Sequence, residues 1–163
     1  MARDKKERIR FMGTYNLTKG DAAIAALDFG RFFCARIPIV VTEIIAANAT
    51  LLAAEKITAG DVIQLWDVPA NVTLLPGLSS LEIVTAGTAG NTVNVGIAGS
   101  TEMFSGVSIA TADVVFDVAD DATWGTDNYG SYSFTATDTI DMVFVADEVV
   151  GEFVLYIPGF VRA

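Results

Sequence analysis

The sequence predicts an all-β protein: an antiparallel β-sandwich or jelly roll with an extended N-terminal arm and at most one short helix. Three observations carry that prediction. From residue 36 onward the chain is rich in Val, Ile, Thr and aromatics punctuated by Gly, Asn and Asp, which is how strands bounded by turns read. About ten short segments of this kind recur every 8–12 residues or so, a spacing that fits a sandwich and not a βαβ fold. Helical periodicity is confined to one brief stretch near the N-terminus.

The arm comes first. Arg3, Lys5, Lys6, Arg8, Arg10, Lys19, Arg31 and Arg36 are eight of the ten cationic residues, and only Asp4, Glu7, Asp21 and Asp28 oppose them, so residues 1–36 carry +4. Residues 37–163 hold 2 cationic and 16 anionic residues, −14. The expected organisation is a basic arm and connector over residues 1–35 followed by an acidic body over 36–163. Within the connector, Gly20 to Phe29 fits a turn or two of helix, with Asp21 as N-cap and Ala23, Ile24 and Leu27 on one face.

The expected strands are Arg36–Thr42, Ala47–Ala54, Asp61–Val68, Asn71–Leu75, Ser79–Ala86, Thr92–Ala98, Ala112–Val118, Gly130–Ala136, Thr139–Val145 and Glu152–Pro158. Ala53 to Ile57 reads equally as helix or strand. Residues 62–67 and 139–144 alternate so that at least one face is apolar, as a half-buried antiparallel strand requires. Thr88-Ala89-Gly90-Asn91, Ala98-Gly99-Ser100 and Gly125 to Gly130 supply turn residues that tolerate positive φ or bond to their own backbone. Ile37-Pro38-Ile39-Val40-Val41 and Phe153-Val154-Leu155-Tyr156-Ile157 are apolar on both faces, more than one sandwich core hides, and subunit association is the economical explanation.

Much chemistry is excluded. There is no histidine, and Cys34 is the sole cysteine, which removes Ser-His-Asp and Cys-His catalysis, Cys/His zinc sites and internal disulfides. The composition, 52% hydrophobic and 18% charged, is that of a folded domain, and the longest apolar runs fall far short of the roughly 20 residues of a spanning helix. No secretory signal pattern is visible at the start, so a reducing compartment and no membrane partner are expected. The sequons at Asn16, Asn48 and Asn71 are then chance matches. Phosphate-cradling glycine motifs are missing, and the acidic body repels nucleic acid.

Two clusters remain. The segment from Asp117 to Tyr129 gathers Asp117, Asp120, Asp121, Asp127 and Asn128 beside Trp124 and Tyr129. Its oxygens suit Ca²⁺ in kind but not in EF-hand spacing, and its aromatics suit stacking on a sugar or a protein surface. A solvated acidic loop is the simpler reading, and no metal or cofactor is expected. Glu82, Glu102, Asp141 and Glu152 offer carboxylates for a glycosidase-like pair, yet any acidic β-domain does so, and the chain is not expected to be an enzyme.

The run Lys56-Ile57-Thr58-Ala59-Gly60-Asp61 through Trp66-Asp67-Val68-Pro69-Ala70-Asn71 resembles a pattern of small structural proteins of tailed bacteriophages, a TAGD turn leading into a strand that ends in D-V-P-A-N/G. Ser80 to Gly87, Thr92 to Gly96, an aromatic-bearing Asp/Asn/Gly loop and Ala136 to Phe144 follow in the same order, so the resemblance spans about residues 56–161. The family it points to is the capsid decoration, or cement, proteins. The resemblance implies a jelly-roll body, a homotrimer at local threefold positions on the outer surface of the head, and the major capsid protein as partner. The first 55 residues have no counterpart in the pattern. Anchoring is the role expected of them, with Lys5, Lys6, Arg8 and Arg10 steering and Phe11, Met12 and Tyr15 gripping the shell. The rival expectation is a tail or fibre receptor-binding module that takes carbohydrate on the 120–129 loop.

Overall fold

The computed structural model describes residues 14–16, 32–97, 103–117 and 131–162. Two β-sheets enclose one continuous apolar core, so the expected all-β sandwich is what forms. Sheet A runs in the order β1 (Thr14–Asn16), β3 (Val62–Val68), β10 (Asp138–Phe144), β6 (Thr92–Ile97), β7 (Phe104–Ser108). Sheet B contains β8 (Val114–Asp117), β5 (Ser80–Thr85), β11 (Glu152–Val161), β4 (Val72–Leu74), β9 (Tyr132–Ser133) and β2 (Phe32–Val40). Among the described residues every pairing is antiparallel except β1 on β3.

Strand β11 organises sheet B. It pairs with β2 from Glu152↔Val40 to Phe160↔Phe32, which occupies one of its edges. The other edge is shared in succession, by β5 up to Tyr156↔Ser80 and by β4 from Gly159↔Leu74. Pro158, which has no N–H to give, falls at the changeover, and its carbonyl accepts from Leu75 N at 2.8 Å. Strands β4 and β5 thus follow one line along β11, interrupted by an excursion that holds the 3₁₀ turn Pro76–Leu78. Pro38 sits in β2, where a missing donor is tolerated because β2 has a strand on one side only among the described residues.

Several sequence expectations are corrected. Two short helices, α1 (Val41–Ala47) and α2 (Ala49–Ala54), stand where at most one was expected, and α2 replaces the strand expected over Ala47–Ala54. The reason is local. Asn48 is a true N-cap, its Oδ1 accepting from Thr50 N at 2.8 Å and Leu51 N at 3.1 Å. An Ala-rich run then favours helix, and Leu51 is the one residue of α2 that is buried. The helix stops at Glu55, which is left-handed at φ 56°. Strand β2 begins at Phe32, inside the stretch expected as connector, and β1 and β7 were not anticipated. The helix expected over Gly20 to Phe29 lies outside the described residues.

The alternation expected in β3 also breaks. Register slips between Ile140↔Trp66 and Asp141↔Gln64, leaving Leu65 as an extra residue, and this bulge lets Leu65 and Trp66 both be buried while Asp67 is exposed. Trp66 then meets Phe33 of β2 edge-on at 6.1 Å, tying the neighbouring edges of the two sheets together.

One end of the sandwich is fastened by a buried acid. Glu148 is fully buried, and its backbone exchanges both hydrogen bonds with Ile57. Its carboxylate accepts from Thr88 N (2.9 and 3.1 Å), the Thr88 hydroxyl, Asn91 Nδ2 (2.9 Å), Val149 N (3.0 Å) and Val150 N (3.3 Å). Asn91 also binds Ala146, donating from Nδ2 to its carbonyl (3.0 Å) and accepting from its amide at Oδ1 (2.9 Å). Gly87 is required beside this cage, because a Cβ there would lie 2.9 Å from Glu148 Oε2 and 2.5 Å from Ile109 Cδ1.

Candidate interaction surface

Residues that face outward from sheet B lie in cross-strand rows fixed by the register. One row runs Val115, Glu82, Val154, Pro38, and the next Asp117, Ser80, Tyr156, Arg36. Further along the β2–β11 pair stand Pro158 opposite Cys34 and Phe160 opposite Phe32. The two stretches that the sequence showed to be apolar on both faces are therefore hydrogen-bonded neighbours, and their outward residues make one surface. Phe32 is 75% exposed and leans on Phe160 at 5.5 Å, Val115 is 55% exposed, and Val84 completes the apolar part on β5. Val154, at 5% exposure, is buried although it lies outside the core cluster.

The charges on this surface are few, one of them central and the rest at its margins. Tyr156 Oη donates to Glu82 Oε2 at 2.9 Å, so the central acid is held by a neutral donor. Asp117 is exposed on β8 at one side, and Glu152 is exposed at the start of β11. Arg36 is exposed on the edge strand. Of the other cations among the described residues, Lys56 is paired with Asp147, and Arg162 donates to the Phe134 carbonyl at 3.0 Å, which leaves Arg36 as the unpaired one.

A second surface feature involves the arm. Thr14, Tyr15 and Asn16 pair in parallel with Val62, Ile63 and Gln64, so this short piece of the arm extends sheet A at the β3 edge. Tyr15 is the one predicted anchoring residue placed by the structure; Lys5, Lys6, Arg8, Arg10, Phe11 and Met12 lie outside the described residues. Asp120, Asp121, Trp124, Asp127, Asn128 and Tyr129 lie outside them as well.

Of the carboxylates considered for catalysis, Glu102 lies outside the described residues, and the other three do not converge. Glu82 and Glu152 project from the open outer face of sheet B, whereas Asp141 alternates with the core residues Ile140 and Met142 and belongs to the outer face of sheet A. Among the described residues no group of His, Cys, Asp or Glu side chains could hold a metal ion, and no helix is long and apolar enough to cross a membrane. Glu148 was missed by sequence reasoning, since one Glu in an acidic chain carries no signal of burial; the faint clue was its place between Val and Ala residues and a glycine.

No known family pattern matches the sequence, and no curated protein matches it. Solved structures do. A chain in the capsid of Ralstonia phage GP4 superposes with a TM-score of 0.55 at 17% identity, over 83% of this chain and 87% of that one. Chains in the capsids of cyanophage Pam1 (TM-score 0.48, 14% identity, 81% and 86% covered) and of Helicobacter pylori bacteriophage KHP30 (0.45, 14%, 83% and 92%) are also similar. The chain thus shares its fold, over most of its length, with a component of a phage capsid.

Proposed function

We propose that the chain is a structural protein of a tailed-phage virion, a decoration or cement protein that binds the outer surface of the major capsid protein as a homotrimer and stabilises the head. The observation that carries this reading is the fold match to a chain of the GP4 capsid across 83% of the sequence, which agrees with the resemblance seen over residues 56–161. The physics of the role suits the molecule. A joint that resists internal DNA pressure needs a rigid body and slow release, and it needs no catalytic groups. Three basic arms on one trimer convert weak contacts into a tight composite one. The arm brings charge for steering and aromatics for grip, and an acidic body limits sticking between virions.

The test is co-sedimentation of the full chain with expanded, undecorated heads built from the major capsid protein of the same virion. Saturable binding, with the heads surviving heating to a higher temperature, is expected. A chain lacking residues 1–13, which keeps β1, should bind at least tenfold more weakly, with a smaller salt dependence. Heads that take up no full-length chain would overturn the proposal.

A further inference from the structure

Among the described residues no strand or helix is paired onto the outer face of sheet B, and the chemistry of that face specifies an occupant. Strands β8, β5, β11 and β2, with 4, 6, 10 and 9 residues at about 3.4 Å each and about 4.8 Å between strands, project an area on the order of 500 Å². A standard-size interface buries about 800 Å² of accessible surface per partner, of which this face and its margins can supply a large part. Its middle is apolar apart from Glu82, whose carboxylate accepts from Tyr156, and Val154 there is already buried. Its other charged residues, Arg36, Asp117 and Glu152, stand at the rim, as in an interface with a polar margin.

Arg36 and Asp117 occupy the two ends of a single cross-strand row, on β2 and β8, with Tyr156 and Ser80 between them. Three strand spacings separate them by about 14 Å, beyond the reach of an intramolecular ion pair. Neither has an ion-pair or hydrogen-bond partner for its side chain among the described residues. The arrangement is complementary to itself. A ring that joins the β2 margin of one copy to the β8 margin of the next would set Arg36 of each copy against Asp117 of the partner subunit, once per interface, and such a head-to-tail contact closes at three copies where a twofold pair closes at two.

We infer that the β2 margin of this face packs against the β8 margin of a second copy of the chain, with Arg36 of one copy meeting Asp117 of the partner subunit. The inference rests on the homo-oligomeric part of the proposed function and not on capsid binding. Because Arg36 is exposed and unpaired, Arg36→Glu leaves the subunit fold intact, which circular dichroism and thermal unfolding verify.

Light scattering of the full chain over a range of micromolar concentrations should give a multimer. Arg36→Glu should weaken association by at least tenfold, and the double reversal Arg36→Glu/Asp117→Arg should restore it. Maleimide labelling of Cys34, which is exposed on this face, should be slower in the wild type than in Arg36→Glu. A wild-type monomer at every concentration, or an Arg36→Glu chain of unchanged mass and unchanged Cys34 reactivity, would overturn the inference. A monomer that still binds heads would refute this interface and leave the capsid role standing; a multimer formed through this face that ignores heads would do the reverse.

Discussion

Replacing Glu148 by Ala removes an acceptor that five donor groups share, and its cost follows from what each donor has left. Asn91 Nδ2 keeps the Ala146 carbonyl at 3.0 Å. The amides of Val149 and Val150 belong to residues 44% and 43% exposed, so water replaces the carboxylate there. The Thr88 amide and hydroxyl are the stranded pair. A donor left unsatisfied costs about 1–3 kcal/mol, so the expected loss is on the order of 3 kcal/mol. For a chain of this size that lowers Tm by about 6–12 °C. Glu148→Gln isolates the electrostatic part, since it keeps the shape and one acceptor but turns an NH₂ toward donors; about 2 kcal/mol is expected. Glu152→Ala, which removes an exposed acid from β11, is the control and should stay within about 0.5 kcal/mol. Thermal and urea unfolding of the three variants read these values. If Glu148→Ala unfolds within about 2 °C of the wild type, or no further from it than Glu152→Ala, the carboxylate does not fasten this end of the sandwich.

Three further outcomes follow from the same structure. Gly87→Ala should lower stability by about 1–3 kcal/mol, because its Cβ would meet Ile109 Cδ1 at 2.5 Å; a urea midpoint equal to the wild type's would contradict the close packing described here. Asn48→Ala should cost about 1 kcal/mol through loss of the α2 cap, measured from the shift in denaturation midpoint, and an unchanged midpoint would show that the Oδ1 contacts carry no weight. Asp147 titrates below its ordinary value of 3.8 because the Lys56 ammonium and, next, the Ala59 amide hydrogen-bond to its carboxylate. Its folded form binds the proton less tightly than the unfolded form, so its stabilisation is complete above the unfolded value and fades as pH falls through the folded one. The stability difference between wild type and Asp147→Asn should therefore be constant near neutrality and shrink below about pH 4; a difference that grew on acidification would refute the pairing.

What was legible in the sequence is what depends on composition within a single strand. Residues 139–144 and 152–158 read as strands because Val, Ile, Phe, Met and Tyr dominate them, and β10 and β11 form there. What failed depends on a contact the sequence does not display. Strand β7 carries Gly106 at φ 67° and has only Phe104 and Val107 buried, since register slips where it meets β6 between Val93 and Val95; no alternation survives to be seen. Asn48 lay inside the strand expected over Ala47–Ala54, and only the geometry of its side-chain cap turns Ala49–Ala54 into helix. In β3 a single extra residue, Leu65, moves Trp66 to the inner face.

The interaction surface divides along the same line. That Ile37 to Val41 and Phe153 to Ile157 had too much apolar surface for one core could be read from either segment alone. That they are neighbours, so that their surplus faces add to one patch, follows only from the pairing of β2 with β11. The charge at the two ends of the row needs one step more, because Arg36 and Asp117 stand 81 positions apart in sequence and are brought into line by three successive pairings, β2 on β11, β11 on β5 and β5 on β8. A one-residue slip in any of them would turn one charge toward the core and leave the other outside. The buried residues Leu81, Ile83, Phe153, Leu155, Ile37 and Ile39 forbid such a slip, because it would carry them into solvent. The core of the sandwich thereby fixes the charge pattern on its outside, and substitutions that loosen the register of β5 or β11 should disturb assembly before they abolish folding.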